Sequence, residues 1–288
     1  MPTVTVLDST MHYAEFEPTA PGTPYVLLHG NPGNSHSWRK VAPGLAGHRV
    51  LAPDLIGMGG SGKPDIPYAL ADHARYLDAW FDALGLEKVV LVGHDWGGVL
   101  AFDRAARHPE RVAGIAFFET FPRPLTSADL TPQAVERTRT LRTPGVGEAM
   151  VAGDNQLVRS ALTRGVLTPL TEPELDLFLA PYPTEADRRP LLAWARQMPI
   201  DGEPADTVAR IAAYGPWLAS SHDVPKLLLT FTGSPTLAVT ERTAAWCAAN
   251  IAALTTIPSG EAGHHAAEDR PSEIASAVTA WAAKEGLG

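Results

Sequence analysis

The chain has 288 residues, 45% of them hydrophobic and 19% charged, with a formal net charge of −9. That length accommodates one large core, or a core with a sizeable insertion, and an acidic chain without a basic block argues against nucleic acid or an anionic membrane as a partner. The single cysteine, Cys247, excludes an internal disulfide and a multi-cysteine zinc site; with no membrane-length apolar run and no basic, then apolar leader at the N-terminus, the default is a cytoplasmic protein.

Val4, Val6, Tyr13 and Phe16, interrupted by Asp8-Ser9-Thr10, predict an opening hairpin. Short apolar runs follow at 25–28, 49–52, 89–92, 115–118, 226–231 and 254–257. Runs apolar on both faces predict strands of a parallel sheet covered by helices on both sides. Between them, residues 73–84 carry Ala74, Leu77, Trp80, Phe81 and Leu84 at helical spacing. Residues 97–107 form a second helix, and 272–284 a third, with Ser272 as its N-cap. This alternation predicts a doubly wound, mostly parallel α/β domain with its chemistry at the carboxyl ends of the strands.

From 122 to 216 the rhythm breaks. Eleven prolines lie between Pro122 and Pro204, and helical pieces at 132–142, 147–162, 172–180 and 184–197 replace the strands. The division is therefore a core of 1–121 and 217–288 and a helical cap of 122–216.

The segment Val89-Val90-Leu91-Val92-Gly93-His94-Asp95-Trp96-Gly97-Gly98 carries the chemistry. A strand enters a turn of the form Gly-x-Asp-x-Gly and leaves as a helix. This is the context of a nucleophile elbow, with aspartate where serine is more usual. The flanking glycines are needed because a Cβ beside so tight a turn would clash with the neighbouring strand or helix. An N-cap alone would explain Asp95 but not the two glycines. A carboxylate nucleophile displaces a leaving group from saturated carbon and leaves an alkyl ester that water must cleave.

Glu261-Ala262-Gly263-His264-His265 follows the last strand, where a hydrolase of this class places its base. His264, directly after Gly263, is the choice, with His265 as its rival. The histidine needs an orienting acid. The chain after 226–231 has none before Glu241, whereas 115–118 runs straight into Glu119. Glu119 is therefore assigned. After the first core strand comes His29-Gly30-Asn31-Pro32-Gly33. The Asn31 amide and the Trp96 indole are neutral N–H donors beside the carboxylate, suited to a departing anion.

These segments, with Asp54-Leu55-Ile56-Gly57-Met58-Gly59, Asp154-Asn155, Pro199–Pro204 and Glu268-Asp269, resemble the haloalkane dehalogenases of the α/β-hydrolase superfamily, in the subgroup with an Asp-His-Glu triad. The resemblance covers nearly the whole chain. It implies Asp95 as nucleophile, His264 as base, Glu119 as its partner, Asn31 and Trp96 as halide donors, and their backbone N–H groups as the oxyanion hole. It implies an apolar pocket bounded by Leu157, Ala161, Trp194, Met198 and Leu237. It implies hydrolysis of a small apolar halogenated substrate by water to alcohol, halide and proton, with no cofactor or metal, by a monomer or weak homo-oligomer. Departures from the family pattern are Gly33-Asn34, Ala195 after Trp194, and His265-Ala266-Ala267 after the base; Gln133 and Thr138 are less aromatic than is usual. An epoxide hydrolase shares the elbow but needs acidic donors, for which Tyr182 and Tyr214 are available by type. A coelenterazine-type luciferase shares the five functional groups, and a non-catalytic scaffold is the remaining alternative.

Overall fold

The computed structural model describes residues 2–16, 22–45, 47–152 and 155–287. The strands are β1 (Thr3–Val6), β2 (Ser9–Phe16), β3 (Tyr25–Leu28), β4 (Val50–Pro53), β5 (Val89–His94), β6 (Val112–Phe118), β7 (Lys226–Thr232) and β8 (Leu254–Glu261). They form one sheet in the order β1-β2-β4-β3-β5-β6-β7-β8. The pairs β1/β2 and β2/β4 are antiparallel and the others parallel. The opening hairpin turns at Leu7 and Asp8, with Leu7 at φ 50°. Ser9 and Thr10, predicted to interrupt it, already pair with Val6 and Thr5.

The helices are α1 (Leu70–Ala83), α2 (Trp96–Arg107), α3 (Pro132–Arg142), α4 (Val146–Val151), α5 (Gln156–Arg164), α6 (Glu172–Leu179), α7 (Glu185–Arg196), α8 (Ala205–Ala213), α9 (Gly215–Ser220), α10 (Glu241–Asn250), α11 (Ala266–Asp269) and α12 (Pro271–Glu285). Alternate residues of the central strands face opposite cores, as the two-residue period of a strand requires. Val26, Leu28, Val89, Leu91, Ile115 and Phe117 meet α1 and α2 on one face. Tyr25, Leu27, Val90, Val92, Ala116 and Phe118 meet Ile274, Val278 and Trp281 of α12 on the other.

Two sequence readings need correction. The helix predicted at 147–162 is two helices, α4 and α5, parted at Asn155, which adopts a left-handed backbone at φ 58°. Helix α12 is capped by Arg270 rather than Ser272, because Pro271, which needs no backbone N–H partner, occupies its first turn. Pro216 stands in the first turn of α9. Of the Asp154-Asn155 segment, Asp154 lies outside the described residues.

Candidate active site

Strand β5 ends at His94 and α2 begins at Trp96, so Asp95 alone makes the turn, at φ 52° and ψ −125°. A Cβ on Gly97 would meet the Leu28 carbonyl oxygen at 1.9 Å, and one on Gly93 would meet the Gly98 Cα at 2.5 Å. These contacts account for both glycines of the motif. The turn is fastened from behind by the Thr120 hydroxyl, which donates to the Asp95 carbonyl at 2.6 Å. Although Asp95 occupies the N-cap position, its side chain makes no capping hydrogen bond. The carboxylate instead faces outward, where Oδ1 accepts from the Asn31 backbone N–H at 3.0 Å.

His264 follows β8, and its Nε2 lies 3.6 Å from Asp95 Oδ2. Its Nδ1–H donates to Glu119 Oε2 at 3.1 Å. Glu119, at the end of β6, is fully buried. The segment after β7, which carries no acid, folds around this carboxylate. Ala238 N–H donates to Oε2 at 2.7 Å and Val239 N–H to Oε1 at 3.3 Å. The loop thus contributes donors that hold the acid presented by the neighbouring strand.

Burial works against a charge on Asp95, but His264 outweighs it, helped by the Trp96 backbone N–H, and holds the carboxyl below its ordinary range. Burial also opposes a charge on His264, yet Asp95 and Glu119 together raise the imidazole to about 10. The His264 imidazole thus lies between the Asp95 and Glu119 side chains, which favour its protonated form.

The rival, His265, is a different kind of residue. Burial, with His264 and His94 beside it, pushes its imidazole well below the usual value, and its ring bonds the Ala161 backbone. Its own backbone N–H donates to Gly165 O at 2.7 Å, tying the histidine loop to the end of α5. Asp269 adds to that seam, accepting from Gly263 N–H at 2.8 Å and Leu167 N–H at 2.9 Å. His94, whose role the sequence does not single out, also positions His264. Burial lowers its imidazole to about 3, so the ring is neutral, and Nε2–H donates to the His264 carbonyl at 2.8 Å.

The loop after β3 is set by buried polar groups. His29 Nδ1–H donates to Gly30 O at 2.8 Å, and its Nε2 accepts from Leu55 N–H at 3.0 Å. Asp54 accepts from Ser35 N–H at 2.6 Å and Gly60 N–H at 2.7 Å. This brings the Asn31 backbone to Asp95. One N–H of the Asn31 side-chain amide donates to Leu191 O of α7 at 3.0 Å, which leaves the second for the cavity.

A cavity of about 830 Å³ opens over Asp95, and Asn31, Trp96 and His264 border it. Leu157, Ala161, Met198 and Leu237 lie on its wall, as do Gln133 and Thr138. Trp194, expected on that wall, stands behind it. Its ring is fully buried, stacked on His73 at 3.5 Å and 5.6 Å from the Trp96 ring. It supports Trp96, which Phe121 holds edge-on at 4.8 Å on another side. The wall is less apolar than the sequence reading expects, because Arg137, Arg164 and Arg242 border it as well.

The tyrosines available for epoxide opening are elsewhere. Tyr182 and Tyr214 are both buried, the first hydrogen-bonded to Gly59 N–H at 3.2 Å and the second donating to Phe121 O at 3.3 Å. Neither borders the cavity. Among the described residues no group of three His, Cys, Asp or Glu side chains could hold a metal ion. No described helix is long and apolar enough to cross a membrane.

Comparison with known proteins agrees with this geometry. Residues 23–164 match the α/β-hydrolase fold family. A haloalkane dehalogenase of Mesorhizobium japonicum is 44% identical over 282 residues, covering 96% of this chain and 89% of the relative. One from Sphingobium indicum is 41% identical, covering 90% and 88%. Among solved structures, the haloalkane dehalogenase DatA from Agrobacterium tumefaciens superposes with a TM-score of 0.92 at 40% identity, covering 99% of this chain and 96% of that one. DbeA from Bradyrhizobium elkani superposes at 0.93 and 41%, covering 99% and 98%. The chain belongs to the haloalkane dehalogenase family of the α/β-hydrolase fold, hydrolases acting on carbon–halide bonds.

Proposed function

We propose that Asp95, His264 and Glu119 act as nucleophile, base and orienting acid in the hydrolysis of haloalkanes, with Asn31 and Trp96 as halide donors. The observation that carries this reading is a carboxylate, rather than a hydroxyl, at the elbow, 3.6 Å from the histidine. A hydroxyl nucleophile needs a base to remove its proton; Asp95 is already ionised and needs none.

In the first step Asp95 Oδ attacks the halogen-bearing carbon, a C–O bond forms, and the C–X bond breaks as the halide leaves with the electron pair. The Asn31 amide and the Trp96 indole N–H receive that charge as it develops, and neither is a cation that would compete for Asp95. The alkyl ester carries no charge, so His264 loses one of its two partners and releases its proton to solvent. In the second step the neutral imidazole takes a proton from water, and the water oxygen adds to the Asp95 carboxyl carbon. The Asn31 and Trp96 backbone N–H groups hold the resulting oxyanion. Collapse breaks the bond to the alkyl oxygen, the alcohol leaves with the second water proton, and the carboxylate is restored. The sum is RX + H2O giving ROH, X− and H+.

We also read residues 122–216 as a cap over this core. Its seams support that division: Glu174 of α6 pairs with Arg39 at 2.9 Å, Arg189 of α7 with Asp65 at 2.6 Å, and Arg210 of α8 with Asp103 at 2.7 Å. A cytoplasmic location, and a monomer or weak homo-oligomer as the working state, complete the proposal. The test is halide release from 1-bromobutane and 1,2-dibromoethane by the wild type and by Asp95→Ala. Release by the first and none by the second is the expected result; release by neither, or by both, overturns the reading.

A further inference from the structure

The cavity has two chemically different parts. Around Asp95 the wall is Trp96, Phe121, Leu157, Met198 and Leu237. On the wall built by α3 and α5 stand two guanidinium groups, Arg137 and Arg164. Arg137 is half-buried, and among the described residues it has neither an ion-pair partner nor a hydrogen bond. Arg164 is exposed and bonds only its own helix, Nε to Ser160 O at 3.2 Å and Nη2 to Ser160 Oγ at 3.3 Å. Burial makes the Arg137 charge costly, and the Arg164 charge nearby makes it more so, so that the pKa of Arg137 is lowered.

Other charges on the same wall do not relieve this. Asp129 is taken by Arg123 at 2.8 Å, with Arg242 at 3.5 Å on the same oxygen. Glu241 lies at the exposed start of α10 and pairs with no cation among the described residues. Two like charges on one cavity wall, one of them partly desolvated, are stabilised by an anion that reaches both. A planar carboxylate suits guanidinium donors in particular, since each can give it two parallel N–H bonds.

Resting on the dehalogenase reading above, we propose that Arg137 and Arg164 bind the anionic end of the substrate, and that the substrate class includes ω-halocarboxylates, with the halogen at Asp95 and the carboxylate at the arginine pair. Neutral haloalkanes fill the apolar part alone. A halocarboxylate fills both parts and gains an ion pair with the half-buried Arg137 and, at the solvent side, with Arg164.

The test compares, within each protein, halide release from ω-bromoalkanoates of increasing chain length with release from 1-bromoalkanes of the same lengths. In the wild type the ratio of kcat/KM, carboxylate to neutral, rises to a maximum at the length that spans the two parts, and added salt lowers it. Arg137→Gln and Arg164→Gln each lower that ratio about tenfold, and Arg137→Lys restores part of it. Because each ratio is taken within one protein, a loss of folded enzyme cancels. Turnover of the neutral series with none of the carboxylates overturns this inference and leaves the dehalogenase reading standing. An equal loss on both series, or a change only in inhibition by added halide, also overturns it. Release from neither series overturns the dehalogenase reading, and this inference with it.

Discussion

In the proposed reaction the charge on Asp95 sets the basicity of His264, and this separates the two chemical steps by pH. In the resting enzyme two carboxylates raise the imidazole to about 10. Alkylation removes the Asp95 charge, which lies 3.6 Å from Nε2. At an effective dielectric of about 20, a unit charge at that distance contributes about 4 to 5 kcal/mol, or roughly three powers of ten in acidity. The imidazole of the alkyl-enzyme therefore falls from about 10 to near neutrality, where a general base is most effective. The signs for the two steps differ. Alkylation needs ionised Asp95, whose pKa is lowered, so its rate is flat from mildly acid to alkaline pH. Ester hydrolysis needs neutral His264, so its rate rises with pH and levels off near neutrality. Rapid mixing with 1,2-dibromoethane measures both, the halide burst giving the first step and decay of the alkyl-enzyme, followed by mass, giving the second. A hydrolysis step with its midpoint at about 10, or a burst that rises with the same midpoint as the decay, refutes the coupling.

Further outcomes follow from single contacts. His264→Ala releases at most one equivalent of halide per enzyme and accumulates the alkyl-enzyme, whereas His265→Ala keeps multiple turnovers; intact-protein mass and a halide assay check both. A Cβ at position 30 would meet Asp95 Oδ1 at 2.0 Å, so Gly30→Ala displaces the carboxylate from the Asn31 N–H. It lowers kcat/KM about a hundredfold while the protein stays folded, as circular dichroism alongside kinetics would show; wild-type activity would refute the contact. Glu268, with a side chain only 4% exposed, holds both Arg39 at 2.5 Å and Lys40 at 2.9 Å. Glu268→Gln leaves Glu174 as the one carboxylate paired with both cations among the described residues and costs about 1 kcal/mol in urea unfolding, and an unchanged midpoint would refute the estimate.

What could be read in the sequence was local. The elbow depends on glycines two residues either side of Asp95, and both clashes they avoid involve main chain within or beside the turn. Glu119 was assigned because the chain after β7 lacks an acid, and the structure supplies the physical complement, two backbone N–H groups from that acid-free loop. The parts that were not legible depend on packing between distant segments. Which face of α7 lines the cavity is decided by His73 of α1, against which Trp194 stacks, and nothing near position 194 records this. The break between α4 and α5 sits at a left-handed Asn155, a position where asparagine is tolerated but not required. The short helices α8, α9 and α10 are not legible as separate elements, and each buries at most two residues in the core.

Four histidines crowd the strand ends, and their surroundings explain why one of them is suited to the role of base proposed for it. His29, His94 and His265 are all buried, and in each burial is the largest influence and drives the imidazole below its usual value. Each is spent on a fixed hydrogen bond: His29 to its own loop, His94 to the His264 carbonyl, His265 to the α5 backbone. His264 is less enclosed, its side chain 19% exposed, and has two carboxylates within reach, which reverse the sign of the shift. The neutral neighbours matter to that outcome. A protonated His94 or His265 beside His264 would repel its charge and lower its basicity before the ester formed. Keeping those two rings uncharged leaves the proton affinity of His264 under the control of Asp95 and Glu119, and of these only Asp95 changes charge during the reaction.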